Sequence, residues 1–322
     1  MLAIRMHRTG AAEVLMPEEV NLPQPGAGEA RVKLAASGVN FIDIYHRTGL
    51  YSVPLPYIPG QEGAGVVDAV GEGVTGLRPG ERVAWAMQPG GYAEYALIPA
   101  WKLVPLPEGQ AFDTAAALLL QGMTAHYLSH DTFPLQSGSR ALVHAAAGGT
   151  GQLLVQIARL RGARVLALTS TAAKAEVARR CGAEEVLLSG DPEWPQRARA
   201  WSGGTGVDVV YDSVGQATFG GSLAALKTRG LLVLFGQASG PVPPFDPARL
   251  AGGGSLYLTR PILAHYAGSA AEIRRRCSDL FAWMAAGRLQ VTITRTFPLA
   301  EAAAAQEFLT SRQALGKVLL VP

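Results

Sequence analysis

Ala146, Gly148 and Gly151 fall at the spacing small-x-small-x-x-small. Small residues at these three places let a chain turn tightly, bring its amides up to a pyrophosphate and pack the following helix close to the preceding strand. Gly149 and Thr150 complete the turn and supply further amides. The flanks suit that chemistry. Ala141 to Ala145 is a short apolar run of the kind that forms a buried parallel strand. Leu153, Leu154, Ile157, Ala158 and Leu160 make an apolar stripe at helical spacing, so the free N–H groups and positive dipole end of that helix would face the phosphates. With a second strand over Arg164 to Leu168, the segment predicts one βαβ unit and a bound dinucleotide.

The second strand runs out at Thr169 and Ser170, where an NAD-specific fold carries an acid for the adenosine ribose. No acid stands there. The hydroxyls at 169 to 171 and the side chain of Lys174 would instead accept a 2′-phosphate, which points to NADPH as the cofactor. The competing reading makes Lys174 a solvated residue on the following helix.

The rest of the pattern sets these residues among two kinds of domain. Up to about Leu106, the runs Ala30 to Ala36, Gly65 to Val70, Arg82 to Met87 and Gly91 to Ile98 lie between Pro-Gly turns and predict a β-rich domain. Thr114 to Ser129 reads as helix. Strands and helices alternate from Leu142 onward: strands over Val186 to Leu188, Val207 to Tyr211, Leu231 to Phe235 and Ser255 to Leu258, helices over Ala173 to Cys181 and Gly221 to Lys227. That order predicts a doubly wound parallel sheet, and the fold class is α/β. Helices over Glu272 to Ala286 and Leu299 to Ser311, then a closing strand from Lys317 to Val321, would rejoin the first domain. The expected division is a discontinuous catalytic domain of residues 1–122 and 260–322, with a dinucleotide-binding domain of residues 123–259 inserted in it.

Composition narrows the function classes. A hydrophobic share of 48% against 16% charged excludes a disordered chain, and a net charge of +3 with no dense basic run beyond Arg274 to Arg276 argues against nucleic acid as a partner. The two cysteines, Cys181 and Cys277, lie too far apart in the sequence pattern to suggest a disulfide framework or a metal cluster, and the histidines show no ligand spacing with cysteines or acids. The longest apolar run, Ala115 to Leu120, is too short to span a bilayer, so no membrane partner is expected. Met1 to Gly10 carries no apolar signal core, and the expected location is the cytoplasm.

Ordered motifs along nearly the whole chain carry a family resemblance. They are Asn40-Phe41-Ile42-Asp43 with Tyr45 and Arg47, Gly49-Leu50-Tyr51, Gly60-Gln61-Glu62-Gly63-Ala64-Gly65, residues 146–151, Tyr211-Asp212-Ser213-Val214-Gly215, Phe235-Gly236, and residues 254–261. The chain resembles the zinc-free quinone oxidoreductases of the medium-chain dehydrogenase/reductase superfamily, the group that includes zeta-crystallin. The resemblance implies a GroES-like catalytic domain, an inserted Rossmann domain, NADPH in a cleft between them, and a homodimer formed through the last Rossmann strand, around Leu256 to Thr259. It puts Asn40, Tyr45, Tyr51 and Thr124 on the substrate side. On the cofactor side it puts Ser213, Gly215, Phe235, Gly236, Thr259 and Arg260. Ser189 stands where relatives often carry a tyrosine, so the 2′-phosphate would rest on Ser170, Lys174 and Arg312. Zinc-dependent relatives have a cysteine at or beside the position of Asn40 and a histidine at that of Gln61.

The implied reaction is compatible with those departures. Alcohol dehydrogenation needs a Lewis acid because an alkoxide must form before hydride leaves, whereas a quinone is already electron-poor and its reduced product spreads charge over a ring. Hydrogen-bond donors in an apolar slot then suffice. Asn40 would offer an amide, or cap a helix starting near Phe41; Tyr45 and Tyr51 would offer flat faces and phenols. Glu62 is expected to be structural and paired with Arg47, since a carboxylate in an apolar cleft needs a partner. Gly215 and Gly236 read either as points of close cofactor approach or as plain turn residues. The expected function is NADPH-dependent reduction of a quinone, as hydride or as net single electrons. The alternatives are reduction of an enone or alkenal double bond by the same cofactor, and a non-enzymatic NADPH-binding protein with a structural or RNA-associated role.

Overall fold

Strict alternation organises the first strands: Ala30, Val32 and Leu34 are buried while Arg31 and Lys33 between them are not, as one face of a sheet over a core requires. The computed structural model describes residues 1–322 and divides into two units. The first comprises Met1–Met123, Ala267–Ala282 and Val291–Pro322; the second comprises Thr124–Tyr266 and Trp283–Gln290.

The first unit opens with β1 (Leu2–Arg5), β2 (Met16–Glu19), β3 (Glu29–Val39) and the short helix α1 (Phe41–Arg47). It continues through β4 (Glu62–Val70), β5 (Arg82–Ala86), β6 (Tyr95–Pro99) and β7 (Val104–Pro105) to the helix α2 (Phe112–Tyr127). The expected helix to Ser129 therefore ends as α-helix at Tyr127, and a π-turn over Leu128–Thr132 follows it.

The second unit alternates β8 (Arg140–His144), α3 (Gly149–Leu160), β9 (Arg164–Thr169), α4 (Ala172–Arg180), β10 (Glu185–Leu188), α5 (Trp194–Trp201) and β11 (Val207–Asp212). It then adds α6 (Phe219–Ala225), β12 (Leu226–Leu234), α7 (Ala248–Gly252) and β13 (Tyr257–Thr259). The sheet order is β10-β9-β8-β11-β12-β13, all parallel. Counted from the first strand of the unit, this is the order 3-2-1-4-5-6 of a Rossmann fold, whose switch point lies between β8 and β11. Leu142, Leu166, Val210 and Leu232 of the sheet pack with Trp194, Ala198, Phe219 and Leu223 of the helices.

Several strand boundaries differ from expectation; the strand expected over Gly91 to Ile98, for one, is Tyr95–Pro99. The helix expected over Gly221 to Lys227 stops at Ala225, because Leu226 already pairs with Val207 and Lys227 forms an ion pair with Asp208. Ser255, expected to open the last strand, has φ +55 and serves the turn instead, leaving β13 to start at Tyr257.

The chain ends with α8 (Ala270–Ala285), β14 (Ile293–Pro298), α9 (Ala302–Thr310) and β15 (Lys317–Val321). In the first unit β15 pairs antiparallel with β3, completing a sheet ordered β14-β15-β3-β4-β5-β7, with β6 also on β3. A GroES-like β-rich unit and a Rossmann unit are thus both present, and the α/β class holds. No helix is long and apolar enough to cross a membrane.

Candidate functional site

Because the Rossmann sheet is parallel, the carboxyl ends of its strands lie along one edge, the edge where open α/β sheets bind ligands. Ala146, Gly148, Gly149, Thr150 and Gly151 follow β8; Ser170 follows β9; Ser213 and Gly215 follow β11; Phe235 and Gly236 follow β12; Thr259 ends β13 and Arg260 follows it. The fold therefore sets these sequence-derived candidates on that one edge. Gly148 is the N-cap of α3, so the N–H groups of the helix's first turn have no partners within the helix. Gly151 is held small by packing: a Cβ there would lie 2.8 Å from Ala146 Cα. The residue in the left-handed conformation is Ala145, at φ +47, one place before the expected motif.

Gly236 has a different reason to be glycine. A Cβ there would sit 2.5 Å from the Ser213 carbonyl oxygen and 2.9 Å from Ser213 Cα, so the demand comes from loop packed on loop, which favours the turn reading of this residue. Arg260 donates to the Leu234 carbonyl at 2.9 Å. Arg312 belongs to the first unit, in the turn after α9, with φ +62.

The hydroxyls at 169 to 171 do not act together. Thr169 is buried, and Thr171 caps α4 by accepting the Lys174 amide at 3.3 Å. Ser170 is exposed, and Lys174 Nζ donates to its hydroxyl at 3.2 Å. Among these residues it is Ser170, with Lys174, that faces outward.

Three of the substrate-side candidates lie in the first unit, where they separate into two groups. Tyr45 of α1 and Tyr51 just beyond it form an edge-to-face pair with ring centroids 5.3 Å apart, both half-exposed. The Tyr51 amide donates to the Tyr45 carbonyl at 3.0 Å and fixes their relation. His46 lies 6.2 Å from Tyr51 and 5.6 Å from Tyr57, ring to ring. Burial lowers the His46 pKa, which favours the neutral imidazole. Thr124 is half-buried on α2, at the first residue of the second unit.

Asn40 is the other group, and its surroundings correct two expectations. It stands at the N-cap of α1 and its N–H donates to Asp43 Oδ2 at 2.9 Å. Its side chain is wholly committed within the protein: Nδ2 donates to Glu62 Oε1 at 2.7 Å and to the Gly38 carbonyl at 3.3 Å. Oδ1 accepts from Lys317 Nζ at 2.8 Å and from Gln121 Nε2 at 3.3 Å. An amide has two donors and an acceptor oxygen with two lone pairs, so nothing remains for a substrate. Asn40 is a hub that holds other groups of the protein, and its amide is not free to donate to a substrate carbonyl.

The partner of Glu62 is Lys317, not Arg47. Both side chains are fully out of solvent and in contact, and Glu62 Oε2 accepts the Leu120 amide at 2.8 Å. Arg47 faces Glu307, Tyr92 and Glu13, and burial lowers its pKa. The pairing follows from the sheet: Glu62 opens β4 and Lys317 opens β15, the strands on either side of β3. Lys317 was missed because a lysine at the start of a strand reads as solvated, and nothing local marks its burial.

Residues 149–274 match the zinc-binding dehydrogenase family and residues 26–108 the alcohol dehydrogenase GroES-like domain. A 2-haloacrylate reductase of a Burkholderia species is 41% identical, covering 100% of this chain and 99% of that protein. A quinone oxidoreductase of Pseudomonas aeruginosa is 42% identical, with 97% of each chain covered. The solved structure of Escherichia coli quinone oxidoreductase complexed with NADPH superposes with a TM-score of 0.98 at 39% identity over 100% of both chains. The first family description implies zinc, and the residues present do not fit it. No three His, Cys, Asp or Glu side chains gather where they could hold a metal ion. Around Asn40, the Glu62 carboxylate is already neutralised by an ammonium that would repel a dication, and Asp43 is engaged by the Asn40 amide and the Tyr92 hydroxyl. The chain belongs to the zinc-free quinone oxidoreductases of the medium-chain dehydrogenase/reductase superfamily.

Proposed function

We propose that this protein is an NADPH-dependent quinone reductase of the cytoplasm. The observation that carries the reading is the full-length match to a quinone oxidoreductase whose structure holds NADPH. The first turn of α3 would receive the pyrophosphate on its free N–H groups, and Ser170 with Lys174 the 2′-phosphate. The bound cofactor supplies the reducing equivalents. Tyr45 and Tyr51 offer an aromatic surface for a flat acceptor and a phenol to hydrogen-bond its carbonyl oxygen. Phe235, Thr259 and Arg260 are assigned to the nicotinamide side, Thr124 to the substrate side, and Arg312 to the adenosine phosphate. The edge strand β13, with Tyr257 59% exposed, would pair with a second copy of the chain.

The relation to a 2-haloacrylate reductase favours a second reading, in which NADPH reduces an activated carbon–carbon double bond. One assay separates the two: purified protein with NADPH against a quinone series and a series of enones and haloacrylates. Faster turnover of the alkenes would overturn the quinone assignment.

Replacing Lys174 by alanine should weaken NADPH by about 1–2 kcal/mol, roughly five- to thirty-fold, and leave NADH unchanged. Titration of each nucleotide by fluorescence measures it; equal losses for both would mean that the 2′-phosphate is held elsewhere.

A further inference from the structure

Asp212 closes β11 at the switch point, and its carboxylate is the most heavily hydrogen-bonded group on that edge of the sheet. Oδ1 accepts the amides of Val214 at 2.8 Å and Gly215 at 3.1 Å. The Thr218 hydroxyl lies 2.9 Å from Oδ1 and 2.7 Å from Oδ2, and Ser222 donates to Oδ2 at 2.8 Å. Ser222 has one proton and gives it to Asp212, so at 2.9 Å His144 Nε2 must be the donor to Ser222 Oγ. His144 is the last residue of β8 and precedes Ala145, where the glycine turn begins. The main chain of Asp212 adds a third connection: its carbonyl accepts the amide of Phe235 at 2.8 Å and that of Gly236 at 3.4 Å.

We propose that Asp212 is the positioning residue of the cofactor cradle, its buried carboxylate and carbonyl together fixing the strand ends of β8, β11 and β12 on which the dinucleotide would lie. The inference rests on the NADPH reading given above. Burial by itself would raise the Asp212 pKa; His144, Thr218, Gly215 and Ser222 outweigh it and hold the carboxyl below its usual value. Burial lowers the His144 pKa against the opposing pull of the Asp212 charge. Apolar packing commonly stabilises a core as well as a buried charge does. What the charge adds is a single geometry for the loop over Ser213–Gly215, the pre-organisation that a ligand-binding loop requires.

The test is nucleotide affinity, read by fluorescence titration with NADPH and with NADH, alongside thermal melts. Asp212→Asn and Thr218→Val should weaken both nucleotides alike, by about tenfold or more, whereas Thr218→Ser, which keeps the hydroxyl, should bind as the parent does. The equal loss distinguishes this role from that of Lys174. A lowered melting temperature with both dissociation constants unchanged in Thr218→Val would reduce the network to a structural one and overturn the proposal. If Asp212→Asn does not fold, the Thr218 pair decides alone. Parent protein that binds neither nucleotide would sink the functional reading, and the inference with it.

Discussion

Replacing Lys317 by methionine should lower the free energy of unfolding by about 3–5 kcal/mol, a large part of the roughly 5–15 kcal/mol typical of a folded domain. The ammonium is the only cation in contact with the Glu62 carboxylate in the hydrogen-bond pattern around Asn40, and both side chains are fully out of solvent. Methionine keeps most of the volume and removes the charge, so the cost comes from leaving a carboxylate buried and uncompensated. Adding Glu62→Gln should therefore recover much of the loss, because the neutral amide can still accept from the Leu120 amide and asks for no counter-ion. Urea denaturation of the parent, both single variants and the double variant closes the cycle. Additive single effects would show that the two side chains do not depend on each other, and the account of this cluster would be wrong.

That cluster also marks where reading the sequence stops. The βαβ unit was legible because its signals are local: small residues at fixed offsets, an apolar stripe at helical period and short apolar strands. The closing strand from Lys317 to Val321 was legible for the same reason. What Lys317 does there was not, because its carboxylate partner is 255 residues away and only the pairing of β15 and β4 with β3 brings the two together. Asn40 shows a finer limit. Its place at the head of α1 could be read, but whether its amide is free or committed depends on Lys317, Gln121 and Glu62, none of them a neighbour in sequence. The start of β12 was misplaced because Leu226 and Lys227 continue a helical pattern locally, while pairing with Val207 and Asp208 turns them into strand. Even the Gly236 requirement lies in the Ser213 backbone, one strand away.

Asp43 gives the second large effect, and its sign is the reverse of the usual carboxylate. It is completely buried; burial pushes its pKa up from 3.8 to about 7, against the opposing influence of the Asn40 amide, Lys317 and Tyr92 and with that of Glu62. Oδ2 accepts from the Asn40 amide at 2.9 Å and from the Tyr92 hydroxyl at 3.2 Å, while Oδ1 has no partner. Below pH 3.8 the carboxyl is protonated whether the chain is folded or not, and the group makes no pH-dependent contribution. As pH rises from 3.8 to about 7 the unfolded chain releases this proton and the folded chain retains it, so stability falls across that window and levels off above it. At roughly 1.4 kcal/mol per pH unit the ceiling is about 4 kcal/mol. Asp43→Asn keeps an acceptor for the Asn40 amide and the Tyr92 hydroxyl and removes the titration. The variant should therefore gain about 2–4 kcal/mol on the parent between pH 4 and pH 8. Taking the difference between the two proteins removes the parallel titrations of His46 and His144, which both share. Urea midpoints of parent and variant at unit pH steps measure that gap, and a gap of constant size from pH 4 to pH 8 would mean that Asp43 is ionised in the folded protein throughout.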